Sequence, residues 1–296
     1  SFSLARSVKL DQEILSVLAC PCCRGRVLPV GREIHCQEKG CQQVFSTIEG
    51  IPVLIDPNTS LFSAEEYEDR RATIVEPPQE GMGQRLRSLL PSLSRNFKAH
   101  ENFAWTKRLL LQESASPLVL IVGGGTIGEG LETLLSNEAI TCIETDVAPE
   151  PTTRIICDAH SLPFSDDSMD GVIIQAVLEH VLDPGRCVKE IHRVLRLGGV
   201  VYCETPFIQQ VHLGAYDFVR FTHGGLRFLF RDFEELGSGV VCGPGMALAW
   251  SYQYFLLSFV KSIPAQRIVR TFARLTAFWL KYFDSYLGDS PGALDA

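Results

Sequence analysis

The chain has 296 residues, of which 46% are hydrophobic and 21% charged, with a net charge of −8. That length supports a full hydrophobic core, and the composition excludes a mostly disordered chain. The acidic balance argues against a general nucleic-acid binder, which carries a basic excess. No basic stretch followed by an apolar run opens the sequence, and no segment reaches the roughly 20 apolar residues of a membrane-spanning helix. The expectation is a cytoplasmic protein with no transmembrane span.

Ten cysteines are unevenly spread. Five lie between Cys20 and Cys41, and five stand singly at Cys142, Cys157, Cys187, Cys203 and Cys242. Isolated cysteines in apolar surroundings read as small buried hydrophobes. The cluster reads differently. Cys20 and Cys23 form a C-x-x-C knuckle, and Cys36 and Cys41 supply a second pair after twelve intervening residues. Four thiolates suit tetrahedral Zn²⁺, and a closed sulfur shell is a structural site. Cys22 and His35 compete as ligands on sequence grounds, and the bland reading is reduced thiols or redox chemistry.

Three segments follow from the patterning: a cysteine-bearing module at 8–56, a linker with lead-in helices at 57–116, and an alternating strand and helix region at 117–296. The alternation implies a parallel α/β sheet. Strands are expected at Leu118 to Val122, Ile140 to Ile143, Arg154 to Cys157, Gly171 to Ala176 and Val200 to Cys203. Leu131, Leu134 and Leu135 share a helix face. Asp183-Pro184 opens another helix as N-cap and first residue, and Gly198-Gly199 is expected to stop it. A sixth strand is expected to begin at Val240 to Cys242. Met246 to Val260 reads as a buried or interfacial helix.

Gly123-Gly124-Gly125-Thr126-Ile127-Gly128 follows a strand and precedes a helix, where glycine lets the backbone approach a nucleotide-like ligand. Asp146, at the end of the second strand, is placed to accept ribose hydroxyls. Gly123, Gly125 and Gly128 satisfy G-x-G-x-x-G, so this loop alone fits either NAD or S-adenosylmethionine.

Two resemblances extend these readings. Leu18 to Gly25, Cys36, Cys41, Phe45-Ser46 and Glu49-Gly50-Ile51-Pro52-Val53-Leu54-Ile55 resemble the small zinc-ribbon activator subunit of tRNA and protein methyltransferases, a ribbon that binds and stabilises its enzyme partner. Asp158 to Phe164, Ser168 to Val172, Leu178 to Pro184 and Arg193 to Gly199, in that order after the glycine loop, resemble class I S-adenosylmethionine-dependent methyltransferases of the methyltransferase domain type 11 family. This second resemblance covers about residues 117–206. It implies a Rossmann-like sheet with helices on both faces, beside the small N-terminal zinc ribbon. It also implies that Gly123 and Gly125 line the cofactor's methionine part, that Asp146 holds the ribose, and that Asp158 bonds the adenine amino group with Ala159 beside it. Two positions depart from the family: Ile121 stands where an acid is usual, and Ile127 where a third glycine is usual. No apolar run remains near the end for the family's final strand, so that strand is expected to be missing.

The expected reaction is methyl transfer from S-adenosylmethionine to a small molecule, or to a glycan or lipid-linked metabolite. A general base serves a hydroxyl acceptor. His212 is the first choice and His180 the second, with Glu204, Tyr216, Asp217 and His223 in reserve. The bland readings are a lid residue for His212, a structural hydrogen bond near the adenine pocket for His180, and a loop-ordering network for Asp217, Arg220, Thr222 and His223. An inactive cofactor-binding adaptor and an NAD-dependent oxidoreductase are the alternatives. Arg267, Arg270 and Arg274 share a helical face, with Lys261 and Lys281 nearby, and offer a peripheral contact to an anionic surface.

Overall fold

The computed structural model describes residues 10–62, 90–211, 216–290 and 292–293. They form two compact units. The first takes residues 10–62 and 102–204, and the second takes residues 90–101 and 205–293.

The first unit begins with helix α1 (Gln12–Val17), which buries Ile14. Strands β1 (Val27–Val30) and β2 (Glu33–Cys36) pair as a hairpin, and Gly31 turns it at φ 65°. A two-residue hairpin turn needs such left-handed backbone, which glycine adopts at least cost. Strand β3 (Val44–Phe45) completes a small antiparallel sheet through the Ile34 and Phe45 pair. Strands β4 (Thr47–Ile48) and β5 (Ile51–Leu54) form a second hairpin around Glu49 and Gly50, both left-handed.

The larger sheet holds β6 (Leu118–Val122), β7 (Thr141–Asp146), β8 (Ile155–Cys157), β9 (Met169–Gln175) and β10 (Leu195–Glu204). Its order is β10-β9-β6-β7-β8-β5-β4. The five strands from β6 to β10 run parallel. All five residues of β6 are buried, as covered parallel strands require. The remaining two strands come from the cysteine-bearing module. Strand β5 lies parallel to β8, with Val53 opposite Ile156 and Leu54 opposite Cys157. Val53, Ile55 and Ile156 then share one apolar cluster with Ile48, Ile51 and Phe62.

Helix α2 (Ala99–Glu113) contributes Phe103 and Leu110 to the main core with Val119, Ile121, Leu134 and Ile173. Helix α3 (Glu132–Leu135) is only one turn. Helix α4 (Pro184–Val194) opens as expected: Asp183 accepts the Arg186 amide at 3.0 Å, and Pro184 occupies the first turn.

Two expectations need correction. The helix before β10 ends at Val194, not at the glycine pair. Gly198, at φ 81°, lies inside β10 where the pairing register slips between Leu195 and Val200, so the left-handed residue serves a bulge. Val240 to Cys242 is not a strand. The Val241 carbonyl instead accepts the Phe97 amide. Among the described residues no strand follows Glu204.

The second unit is helical. Helix α5 (His223–Leu229) is capped by Thr222, which accepts the Gly225 amide at 3.1 Å. Helices α6 (Pro244–Leu257) and α7 (Ile263–Ala277) pack around Leu93, Ala249 and Ala277. A one-turn helix α8 (Asp284–Leu287) starts at a wholly buried carboxylate. Asp284 accepts the Gly245 and Met246 amides at 2.7 and 3.0 Å and so caps α6, where unpaired donors favour an anion. No helix among the described residues is long and apolar enough to cross a membrane.

Candidate functional site

The glycine loop leaves β6 at the carboxyl end of the parallel sheet, where open α/β sheets bind ligands. Gly123 has φ 73°, and a Cβ there would stand 2.2 Å from Val177 Cγ2. Gly125 donates its amide to Asp146 Oδ2 at 3.0 Å, and a Cβ on it would meet that oxygen at 2.7 Å. Both positions therefore need glycine for close approach, and Gly123 needs it for its positive φ as well. Thr152 Oγ1 ties the loop from outside, donating to the Gly124 and Gly125 carbonyls.

Asp146 ends β7 and also accepts the Ala148 amide, through Oδ1, at 3.1 Å. Burial pushes its carboxyl above the usual carboxylate range, against the opposing pull of those backbone donors. Ile121 is buried in the main core, so the position where the resembled family carries an acid is filled by packing. Ile127 is exposed.

Asp158 follows β8 and is almost fully buried. Its Oδ1 accepts from the His160 amide and from His160 Nδ1, at 2.9 and 2.6 Å, and its Oδ2 accepts from Ser60 Oγ at 2.5 Å. The Asp183 amide donates to His160 Nε2 at 3.0 Å, which leaves Nδ1 as the protonated nitrogen. Burial raises the Asp158 carboxyl, but the donors from His160 and Ser60 outweigh it and hold the group below its ordinary value. Ala159 is buried beside it.

At the ends of β9 and β10, Gln175 Nε2 donates to Glu204 Oε2 at 2.8 Å and to the Glu129 carbonyl at 3.3 Å. Gln175 Oε1 is buried and has no partner among the described residues. That oxygen lies 1.9 Å from where a Cβ on Gly128 would stand, so it faces the glycine loop. Ala176 next turns left-handed at φ 54°, an unusual conformation for alanine, and carries the chain to Val177. His180 donates its amide to the Val177 carbonyl, and its Nε2 lies 3.7 Å from Glu179 Oε1.

His212 lies outside the described residues. Arg220 pairs with both oxygens of Asp217 and donates to the Gln209 and Gln210 carbonyls, a loop-ordering arrangement. His223 faces Ser238 at 3.1 Å.

The second constellation is the cysteine cluster. The sulfurs of Cys20, Cys23, Cys36 and Cys41 all lie within 4.8 Å of one another and can hold a metal ion. The two rivals stand apart: Cys22 donates to Asp56 Oδ1 at 3.5 Å, and His35 meets Glu33 at 2.8 Å. The knuckle is bonded to the loop that follows Asp158. Ser161 Oγ donates to the Pro21 carbonyl at 2.7 Å, Arg24 donates to the Leu162 carbonyl and pairs with Glu190, and Leu18 bridges Phe164.

Ser60, His160 and Gln175 were not singled out by the sequence. The segment Asp158-Ala159-His160 carries a signal for one of them, since a histidine two residues after a buried acid can reach back to it. Ser60 and Gln175 carry no local signal.

Comparison with known proteins places these geometries in context. Residues 126–203 match the methyltransferase domain family. Demethylmenaquinone methyltransferase of Clavibacter sepedonicus is 46% identical over 63 residues, which cover 20% of this chain and 25% of that protein. Arginine-hydroxylase NDUFAF5 of Rattus norvegicus is 33% identical over 96 residues, 28% of this chain and 27% of that protein. The match thus spans about a quarter of those relatives' own length. A solved complex of the Haloferax volcanii Trm112 methyltransferase activator aligns at 24% identity with a TM-score of 0.34, covering 47% of this chain and 71% of that one. The matched segment, residues 126–203, runs from the end of the glycine loop through β7, β8 and β9 into β10, whereas β6, Gly123 and Gly125 lie just before it.

Proposed function

We infer that this protein transfers a methyl group from S-adenosylmethionine to a small-molecule, glycan or lipid-linked acceptor, and that its cysteine cluster holds a structural zinc ion. The observation that carries the first part is the Gly125 amide on Asp146, with the second Asp146 oxygen held by Ala148. A carboxylate so fixed at a strand end, beside backbone too close for a side chain, is suited to ribose hydroxyls.

When bound, S-adenosylmethionine supplies a sulfonium methyl group open to in-line displacement. The residues of this chain bind and orient. Gly123 and Gly125 admit the methionine part. Gln175 Oε1 is an acceptor without a donor, and a cofactor ammonium would satisfy it. This assigns to Gln175 the contact that the resembled family makes with an acid at the position of Ile121. Asp158 and Ala159 bound the adenine end, where Asp158 is shared with Ser60. His180 and His212 are the proposed bases, and either would hold the acceptor's proton as the methyl moves. Positioning supplies most of the rate, because it turns a bimolecular encounter into a local one.

A tetrahedral tetrathiolate with bonds of about 2.3 Å sets its sulfurs about 3.8 Å apart. The Cys20 and Cys41 sulfurs are 3.8 Å apart and those of Cys23 and Cys36 are 3.5 Å apart, which fits such a shell. Four thiolates leave no position for water, so the ion would hold the fold. Free thiols at Cys142, Cys157 and Cys187 suit a cytoplasmic protein.

The test is calorimetric titration of the zinc-loaded chain with S-adenosylmethionine, S-adenosylhomocysteine and NAD in parallel. Micromolar binding of the first two, lost in Asp146→Ala, is the expected result. Binding of NAD alone would replace this reading with an oxidoreductase. Binding of none would leave a ribbon-bearing adaptor.

A further inference from the structure

From Leu236 to Phe283 the sequence contains no aspartate or glutamate, but it contains Lys261, Arg267, Arg270, Arg274 and Lys281. In a chain of net charge −8 this is a local reversal of sign. Lys281 is used internally: it is buried, and Nζ donates to the Ser92 carbonyl at 2.6 Å. The other four cations are paired with no carboxylate among the described residues.

Helix α7 divides these groups by face. Ala273 and Ala277 are buried against the unit's core. Ile268, Phe272, Leu275 and Trp279 recur at helical spacing along another stripe and are 71%, 53%, 53% and 48% exposed. Arg267, Arg270 and Arg274 form a third stripe between the buried face and the apolar one, about 140° around the helix from the centre of the apolar stripe at 100° per residue. At the end of α6, Phe255 and Phe259 are also exposed and meet edge to face at 5.2 Å. Scattered exposed apolar residues are ordinary, whereas a contiguous stripe marks an interaction surface.

We propose that the α6–α7 hairpin docks on an anionic lipid bilayer, with α7 lying in the plane of the surface. The charge pattern selects this occupant. With the apolar stripe in the acyl boundary, the arginines stand higher on the helix at the level of the lipid phosphates, and their long cationic stems let them reach down to those phosphates. Trp279 at the stripe's end fits the interface, where an apolar body and a polar N–H are both accommodated. A 15-residue helix is about 22 Å long, too short to span and sufficient to lie flat. The proposal is independent of the cofactor reading.

The test is sedimentation of the full chain with vesicles of phosphatidylcholine alone or with about 30% phosphatidylglycerol, near physiological salt. Partition at least about tenfold stronger to the anionic vesicles, weakened by added salt, is expected. Arg267→Ser with Arg270→Ser should weaken that partition about tenfold. Phe272→Ser with Leu275→Ser should abolish it at any salt. Far-ultraviolet circular dichroism unchanged in both variants would exclude unfolding, since all four side chains are exposed. A blue shift of tryptophan emission on binding, absent in Trp279→Phe, would place the stripe in the boundary. Equal partition to neutral and anionic vesicles, or none to either, would overturn the proposal. So would a concentration-dependent dimer in analytical ultracentrifugation that Phe272→Ser dissolves, because a second copy would then be the occupant.

Discussion

Ser60 Oγ donates to Asp158 Oδ2 at 2.5 Å, joining the segment that leaves β5 to the loop that follows β8. The two residues are 98 positions apart, and the bond exists because β5 lies parallel to β8 and delivers its following loop to the same edge. The cysteine-bearing module is thus continuous with the sheet at the place where the adenine end is proposed to bind. Asp56 shapes the intervening turn by accepting from the Asn58 amide and from Thr59 Oγ1.

Ser60→Ala removes one donor from a buried carboxylate. The Asp158 folded-state pKa lies below its unfolded value, so its stabilisation is present above about pH 3.8 and lost as pH falls through the folded value. The variant should lose about 1–3 kcal/mol at pH 7 and nothing at a pH where Asp158 is protonated in both states. Urea unfolding midpoints of the two proteins, followed from pH 7 down to well below pH 3.8, check this, and a difference that stays constant even at the lowest pH would refute it.

Asp146 has the opposite sign. Its folded pKa is raised by burial, so at neutral pH the ionised group opposes folding. Asp146→Asn removes that charge but leaves the Gly125 or Ala148 amide facing an NH2 group, so Tm at pH 7 should change little or fall slightly while S-adenosylmethionine binding is abolished. Acidification should weaken binding in the unsubstituted protein, starting above the ordinary carboxylate pKa. Calorimetric affinities taken in steps from pH 7.5 down to the lowest pH at which the fold persists, read with Tm at each pH, separate these effects.

Gly123→Ala and Gly31→Ala make a matched pair. Both replace a glycine of positive φ, but a Cβ at Gly123 meets Val177 at 2.2 Å and one at Gly31 meets nothing within 4 Å. Gly31→Ala should cost only backbone strain, about 1–2 kcal/mol. Gly123→Ala should add an overpacking cost of about 1–3 kcal/mol and lose cofactor affinity. Equal unfolding energies for the two variants would show that Val177 moves aside freely.

Metal removal should act beyond the ribbon. The knuckle is bonded to residues 161–164 through Pro21, Arg24 and Leu18, so its release frees their partners. Chelation should speed amide exchange at residues 158–164 and lower Tm. Cys22→Ser should keep the metal stoichiometry, whereas Cys36→Ser should not. Elemental analysis of the purified variants decides between Cys22 and the four clustered thiols.

Ile121→Asp would install the acid that is usual in the resembled family, but the packing at that position opposes it. Ile121 packs with Phe103, Leu110 and Ile173 in the main core. A carboxylate there has no partner, and a loss of several kcal/mol is expected rather than improved binding. Thermal unfolding measured beside cofactor titration reveals which effect dominates.

Much of this protein was readable from short-range pattern. Strand β6 falls at Leu118 to Val122, because five consecutive apolar residues ending in glycines leave little choice in a covered parallel sheet. Asp183 and Pro184 open their helix for equally local reasons. The knuckle and second cysteine pair identify four sulfurs that the fold gathers. Tertiary structure alone decided the rest. Nothing in the spacing of Ile51 to Leu54 says that they will pair with Ile155 to Cys157, because strand partners are selected by edge exposure and shared packing. Ser60 on Asp158 depends on that pairing, and Asp284 on the start of α6 depends on a helix folding back across 39 residues. Gly198 shows the same limit at short range. A left-handed glycine suits a helix stop or a strand bulge equally, and the register of β10 against β9 makes the choice. Periodicity determines which face of an element is apolar. Which neighbour covers that face is settled only when distant segments compete for it.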